Sequence, residues 1–422
     1  MPIDKRLEES EVNRAFLVYV NEEEEDDEYV QAELEGLCEA SGVQPVGYIR
    51  QRISKPTSAT FIGKGKLEEL QMAVRHENPD LVIFDCELSG IQMRNISETI
   101  NKQVNDRTQL ILDIFAQRAR TKEGQLQVEL AQYSYMMPRL MSFYTKFERQ
   151  KGGIGMRGPG ETKLEADRRM VQKRIAKLTR DIEEVKKQRD QLRTSRLKNP
   201  FPSGAIVGYT SAGKSTLMNR LSGTTLLADD MPFATLDPTT RKVELEDGYS
   251  VFLTDTVGFI RNLPTGLIAA FRATLEETLH ADFILFLIDV STPYWDVQRD
   301  AVFETLEALE ALEIPSLMVF NKIDRIHPSV SLKELQEEWP NSVAISALTG
   351  LEMGQLQGAL KDFVRQYLNL VEVLIPYSES NLVDACYKYG RVIQKEFRDD
   401  GIYLETEIVD GLLHKLEKYI LS

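Results

Sequence analysis

Apolar and polar positions along the first hundred residues follow two alternating periods. Short β-rich runs, "AFLVYV" (15–20), "VQPVGYIRQRI" (43–53) and "LVIFD" (81–85), alternate with helical patterns in "EYVQAELEGLCEAS" (28–41), "GKLEELQMAVRHE" (65–77) and "SGIQMRNISETIN" (89–101). Strands separated by helices predict an α/β layer with a mostly parallel sheet over residues 1–106. The pattern then becomes helical over 109–147 and again over 161–198. In the second run Val171, Ile175, Leu178, Ile182, Val185 and Leu192 make a heptad seam. Leu126, Leu130, Tyr133, Met137 and Leu140 offer a facing stripe in the first, where Pro138 should introduce a kink. The two predict a long antiparallel helical hairpin, residues 107–200, with a glycine-rich tip at 150–160. At 1.5 Å per residue the second helix reaches roughly 57 Å.

"KNPFPSG" (198–204) marks the next boundary. Beyond it strands and helices alternate again over 201–366, and the last segment, 367–422, suggests strand, helix, two strands and helix, a small α+β domain. The expected chain is thus α/β, in four domains.

Charge alters this picture at one place. The net charge of −15 argues against a nucleic-acid partner, yet residues 118–198 hold 21 Lys+Arg against 10 Asp+Glu, so an acidic body carries one basic element. The acidic run Glu22–Glu28 reads as a solvated loop or helix start. Cys38, Cys86 and Cys386 lack metal-ligand spacing and suggest neither a zinc site nor a disulfide framework. The start "MPIDKRLEES" has no signal pattern, and the most apolar run, "FILFLI" (283–288), is too short to cross a bilayer. A cytoplasmic protein without a membrane span is expected.

The chemistry sits at 201–366. "AIVGYTSAGKST" is an apolar strand followed by Gly208, Tyr209, Thr210, Ser211, Ala212, Gly213, Lys214 and Ser215, the phosphate-cradling P-loop in its strand-to-helix context. Lys214 should reach the β and γ phosphates and Ser215 should bind Mg²⁺. "VFLTDTVGF" ends a strand at Asp255, which steadies the Mg²⁺ shell; Thr256 and Val257 follow, and the Gly258 N–H can reach the γ-phosphate. Between the two lies "FATLD", Phe233, Ala234, Thr235, Leu236 and Asp237, in which Thr235, rather than Thr239 or Thr240, is expected to bind Mg²⁺ and the γ-phosphate in the triphosphate state. "NKID" gives Asn321, Lys322, Ile323 and Asp324, whose carboxylate can accept from the N1–H and exocyclic amine of guanine, groups that adenine cannot present. Ser346, Ala347 and Leu348 end a further strand where a backbone amide can meet the guanine carbonyl. Four ordered motifs at strand ends imply GTP or GDP with Mg²⁺, and Lys214, Thr235 and Gly258 as the groups at the reacting phosphate. A weaker feature, Gly63–Lys66 at a helix start, reads as a turn with solvated lysines or as an anion contact.

With "GGIGMRGPGETKLE", "GYTSAGKST", "FATLD", "DTVGFI" and "NKID" in order, and "DRTQLILDIFAQRARTKEGQLQVELAQ" as lead-in helix, residues 10–366 resemble the HflX family of translation-factor-class GTPases. The resemblance implies a GTPase that binds ribosomes, chiefly the large subunit, and separates stalled particles, with the N-terminal domain and hairpin on ribosomal RNA. On that reading the glycines make a backbone-rich tip that approaches RNA, with Lys151 and Arg157 as phosphate partners; an interhelical turn and, through Gly153, Gly155 and Gly158, a dinucleotide loop are the alternatives. Phe259 stands where many GTPases place a water-positioning glutamine, a hydrophobic substitution the family shares, so hydrolysis by the protein alone should be slow. A monomer is expected. A signalling switch acting on proteins, and a metabolic kinase on the same phosphate cradle, are the competing classes.

Overall fold

Four strands, β1 (Arg14–Asn21), β2 (Gln44–Arg52), β3 (Leu81–Phe84) and β4 (Gln103–Asp106), form a fully parallel sheet in the order β2-β1-β3-β4. Helices α1 (Asp27–Ser41), α2 (Lys64–Glu77) and α3 (Gly90–Ile100) connect them. Because side chains alternate across a strand, Phe16, Val18, Val82 and Phe84 share one face and pack with Leu67, Leu70 and Val74 of α2 and Met93 and Ile96 of α3. Leu17, Tyr19 and Ile83 are equally buried on the other face. Each such side chain contributes about 1.5–3 kcal/mol on leaving water. Two-sided burial explains why these strands read as near-continuous apolar runs.

The structure, a computed structural model, describes residues 13–21, 27–149, 159–196, 201–223, 231–262 and 279–421. They fall into two compact units: the described residues up to Ile182 together with Met231–Phe233, and the remainder. Most of the acidic run, residues 22–26, lies outside the described residues. Its last two members open α1, where acids suit the positive end of a helix, and Asp27 pairs with Arg50 at 3.0 Å and Arg52 at 3.1 Å.

Two expectations need correction. The apolar pattern predicts one helix over 109–147, whereas the chain makes α4 (Arg107–Arg118) and α5 (Lys122–Arg149). Ala119 turns extended at ψ 111°, and the Thr121 hydroxyl accepts the Gly124 amide at 3.0 Å, capping the new start. The strand β4, "QVND", went unread because it is short and polar; its last residue, Asp106, caps α4 by accepting from the Gln109 amide at 2.9 Å.

Buried charge near the carboxyl end of β3 also escaped the sequence reading. Arg107, 3% exposed, bonds Asp85 at 2.8 Å and Glu33 at 2.5 Å. Pro138 lies inside α5. The helix α6 (Pro159–Arg196) starts on a proline, a residue suited to a first helical turn, and of its seam residues Leu178 is buried while Val171, Ile175, Ile182 and Val185 are half-buried. Arg174 of α6 bonds Glu129 of α5 at 2.7 Å. Lys151 and Arg157 lie outside the described residues.

In the second unit β5 (Ser203–Gly208), α7 (Lys214–Ser222), β6 (Thr239–Glu244), β7 (Ser250–Asp255), β8 (Phe283–Asp289), α8 (Trp295–Ala308), β9 (Ser316–Asn321), α9 (Leu332–Glu338), β10 (Val343–Ala344) and α10 (Met353–Arg365) build a six-stranded sheet ordered β10-β9-β8-β5-β7-β6. Only β6 runs antiparallel to its neighbour. Then β11 (Asn369–Ile375), α11 (Ser380–Tyr389), β12 (Gly390–Arg398), β13 (Gly401–Ile408) and α12 (Asp410–Leu416) make a small antiparallel sheet, β11-β13-β12, in the element order read from sequence. Buried Glu407 of β13 ties this sheet to its neighbours, accepting from the Tyr249 hydroxyl of the β6–β7 hairpin and from Arg365 of α10 at 2.8 Å, while Lys361 of α10 pairs with Asp247 of the hairpin at 3.0 Å.

Candidate functional site

The site gathers at the carboxyl ends of β5, β7, β8 and β9, where parallel strands leave their connecting loops. The buried strand β5 ends at Gly208, and the loop to α7 closes with Gly213 at φ +96°. That left-handed turn and close approach need glycine, since a Cβ there would stand 2.4 Å from Asn321 Nδ2. The free N–H groups at the start of α7 then aim into the loop, a ready site for phosphate.

Lys214 is buried, and its Nζ donates to the carbonyls of Gly208 at 3.1 Å and Tyr209 at 2.8 Å. Burial pulls its ammonium down from 10.5 to about 8, against the opposing pull of Asp255. A phosphate beside it would favour the charged form further. Gly258 sits directly above: an added Cβ would come within 2.9 Å of Thr210 Cγ2 and 3.0 Å of Lys214 Nζ.

Three oxygens converge one residue further on. Ser215 Oγ donates to Asp255 Oδ2 at 2.7 Å and lies 2.8 Å from Thr235 Oγ1, which itself donates to Asp255 Oδ2 at 3.0 Å. Thr239 begins β6 and Thr240 pairs with Thr254 at 2.9 Å, so neither joins this group. Asp255 is 1% exposed, its carboxyl is raised by burial, and its Oδ1 has no hydrogen-bond partner among the described residues. Two hydroxyls beside a buried carboxylate with a spare oxygen are the hard donors that suit Mg²⁺.

The structure gives several expected nucleotide contacts other work. The Phe233 ring is buried edge-on against Phe115, centroids 4.6 Å apart. Leu236 is buried too, while Ala234 and Asp237 are half-buried. The Tyr209 hydroxyl accepts from the Arg261 amide at 3.0 Å, and Thr256 Oγ1 donates to the Ile206 carbonyl at 2.7 Å. Val257 is buried beside it. Phe259 is 1% exposed, and its backbone is stitched to the P-loop, N to the Gly208 carbonyl at 3.1 Å and O from the Thr210 amide at 2.7 Å. Ser211 holds φ +60° and Ala212 is buried.

Asn321 acts as a brace. Its Nδ2 donates to the Ala212 carbonyl at 2.8 Å and its Oδ1 accepts the Ala347 amide at 2.9 Å, tying the P-loop to the turn that follows β10. Lys322 Nζ pairs with Asp289 at 2.7 Å, Ile323 N donates to the Ile345 carbonyl at 3.2 Å, and Ser346 Oγ accepts the Thr349 amide at 3.1 Å. Asp324, its side chain 22% exposed, has among the described residues only Arg325, at 3.8 Å, in its ion-pair range, and Leu348 is exposed. Two residues were missed in the sequence. Arg220 of α7 donates to the Ala347 carbonyl at 3.1 Å and to that of Leu348, and Asp289 holds Lys322. Asp289 had a signal, an acid ending an apolar strand; Arg220 had none.

Comparison with known proteins agrees with this geometry. Family models described as GTP-binding GTPase N-terminal, GTP-binding GTPase Middle Region and 50S ribosome-binding GTPase match residues 28–116, 118–196 and 203–322. The GTPase HflX of Alkalihalophilus pseudofirmus is 47% identical over 97% of this chain and 96% of its own. That of Caldanaerobacter subterraneus is 43% identical over 97% and 94%, and that of Escherichia coli K12 42% over 94% of each. A solved structure, "crystal structure of SsGBP and GDP complex", aligns over 84% of this chain and 99% of that one at 25% identity, with a TM-score of 0.49. No helix among the described residues is long and apolar enough to cross a membrane. Near-full-length identity of this order, on a P-loop GTPase fold, means that the chain belongs to the HflX family of GTPases.

Proposed function

We propose that this protein binds the large ribosomal subunit in its GTP state and uses GTP hydrolysis to split or rescue stalled ribosomes in the cytoplasm. Residues 201–366 serve as the nucleotide engine, and the basic segment 107–200, with Lys151 and Arg157 at its tip, meets ribosomal RNA. The observation that carries the RNA part is the charge reversal: α6 holds 12 Lys+Arg against 7 Asp+Glu in a chain of net −15. The family description of the matched model as a 50S ribosome-binding GTPase points the same way.

Within the engine, Lys214 and the N–H groups of the P-loop hold the phosphates, Gly258 offers its N–H to the γ-phosphate, and Asp324 reads guanine. Ser215 and Thr235 hold Mg²⁺, with Asp255 behind them; when bound, the ion neutralises charge on the phosphates. Phe259 provides no group to orient the attacking water, since its ring carries no hydrogen-bond donor or acceptor and is buried. Hydrolysis is therefore slow until a partner orders the site. The test is co-sedimentation with purified large subunits across a salt series, with GTP analogue, GDP or no nucleotide. Binding that requires the triphosphate form and weakens steeply with salt supports the proposal. Binding that ignores both contradicts it.

A further inference from the structure

A cleft of about 640 Å³ lies in the first unit between α3, the sheet-edge strand β4, α4 and α5. It has no part in the nucleotide site. Met93, Val104, Leu112, Met136 and Leu140 give it apolar walls, and a volume in this range suits a small organic group. Its charged lining is Arg139 and Asp113. Arg139 is already committed, at 3.2 Å to Asp106 and 3.3 Å to Glu87, while Tyr135 donates to Asp106 at 2.8 Å. Asp113 lines the same cleft, half-buried, and no hydrogen bond or ion pair holds it among the described residues. Burial alone pushes its carboxyl upward, with no cation to pull it back. Arg139 is thus matched by Asp106 and Glu87, and Asp113 is the lining charge left without a counter-ion among the described residues. A cation is drawn to it.

Gln109 stands one helical turn before Asp113 and so shares its face, and Gln132 of α5 joins the lining. Each side-chain amide carries an oxygen that can accept a hydrogen bond from a ligand in the cleft. This is the complement of a planar or compact donor group carried on an apolar stem, because a guanidinium presents several N–H groups and no acceptor. We propose that the cleft binds a guanidinium or ammonium group on a short aliphatic chain, the cation on Asp113 and the stem against Met93, Leu112 and Met136. The source is either an arginine or lysine side chain of a partner protein or a free alkyl cation.

The test titrates the full chain calorimetrically with butylguanidinium and with N-butylurea, its neutral counterpart of the same shape. Butylguanidinium should bind saturably and at least about tenfold more tightly than the urea, a charge-assisted bond being worth roughly that or more. Asp113→Asn should remove at least about tenfold of that affinity. GTP affinity should stay unchanged, and the melting temperature should hold or rise, because an unpaired half-buried charge has gone. A ten-residue peptide with a single arginine separates the sources: tenfold tighter binding than butylguanidinium assigns a protein partner, and equal affinity assigns a free cation. Absence of saturable binding by either probe, equal binding of the urea, or an Asp113→Asn protein that binds as the parent does overturns the proposal.

Discussion

Replacing Asn321 by alanine separates bracing from base reading. The side chain is 1% exposed and makes two bonds, to the Ala212 carbonyl at 2.8 Å and from the Ala347 amide at 2.9 Å. Alanine leaves both backbone groups without their partner. At about 1 kcal/mol each, the lower end for an orphaned buried group, the order linking the P-loop to the guanine-facing turn loses about 2 kcal/mol, or roughly 30-fold in nucleotide affinity. Because both bonds go to backbone groups of the protein, GTP, ITP and XTP should all weaken by a similar factor. Asp324→Asn should do the reverse: it removes the acceptor for guanine, so preference shifts toward XTP, whose C2 carbonyl accepts from the new amide. Equilibrium titration of both variants with the three triphosphates measures this. If Asn321→Ala changes the GTP:ITP ratio by tenfold while sparing overall affinity, Asn321 reads the base and the bracing argument is wrong.

Burial pushes the Cys38 and Cys386 thiols up to about 12, three units above the ordinary 9.0. At pH 8 their thiolate fraction therefore falls by about a thousandfold. Both should resist iodoacetamide in the native protein and react on unfolding, as mass spectrometry of the alkylated peptides will show; native labelling at free-thiol rates would mean these positions are open. Arg107→Met strands Asp85 and Glu33 without their buried cation and should cost about 3–5 kcal/mol, read as early loss of protection in the first unit by hydrogen exchange. Unchanged protection would show that the triad does not hold the sheet. Thr235→Ala should weaken the Mg²⁺ dependence of GTP analogue binding more than that of GDP, because the threonine is assigned to the triphosphate state; equal effects on both would remove Thr235 from the metal shell.

The nucleotide site was legible because its chemistry is local. A strand, a glycine loop and a helix start bring Lys214 and Ser215 together within eight residues, and "FATLD" lies between the first two motifs and offers Thr235. What joins the motifs to one another was not legible. Asn321 meets Ala212 across 109 residues, and Arg220 meets Ala347 across 127, distances over which no periodicity speaks. The break between α4 and α5 was hidden because Ala119, Arg120 and Thr121 include neither glycine nor proline and the apolar pattern runs past them. The strand β4 was hidden for the opposite reason: Asn105 and Asp106 are buried polar residues, held by Gln103 and by Arg139, and polarity reads as loop. The cleft beside it combines four elements and has no linear signature.

The most direct test of the proposed function is GTP turnover by the full chain, single-turnover and steady-state, with and without purified large ribosomal subunits. With Phe259 buried and no water-positioning side chain in its place, turnover by the protein alone should be slow. Large subunits should raise it at least about tenfold, a gain within what ordering one attacking water supplies, and Lys214→Ala should abolish the gain. Rapid hydrolysis without ribosomes, or a rate that saturating large subunits leave unchanged, would contradict a ribosome-dependent GTPase.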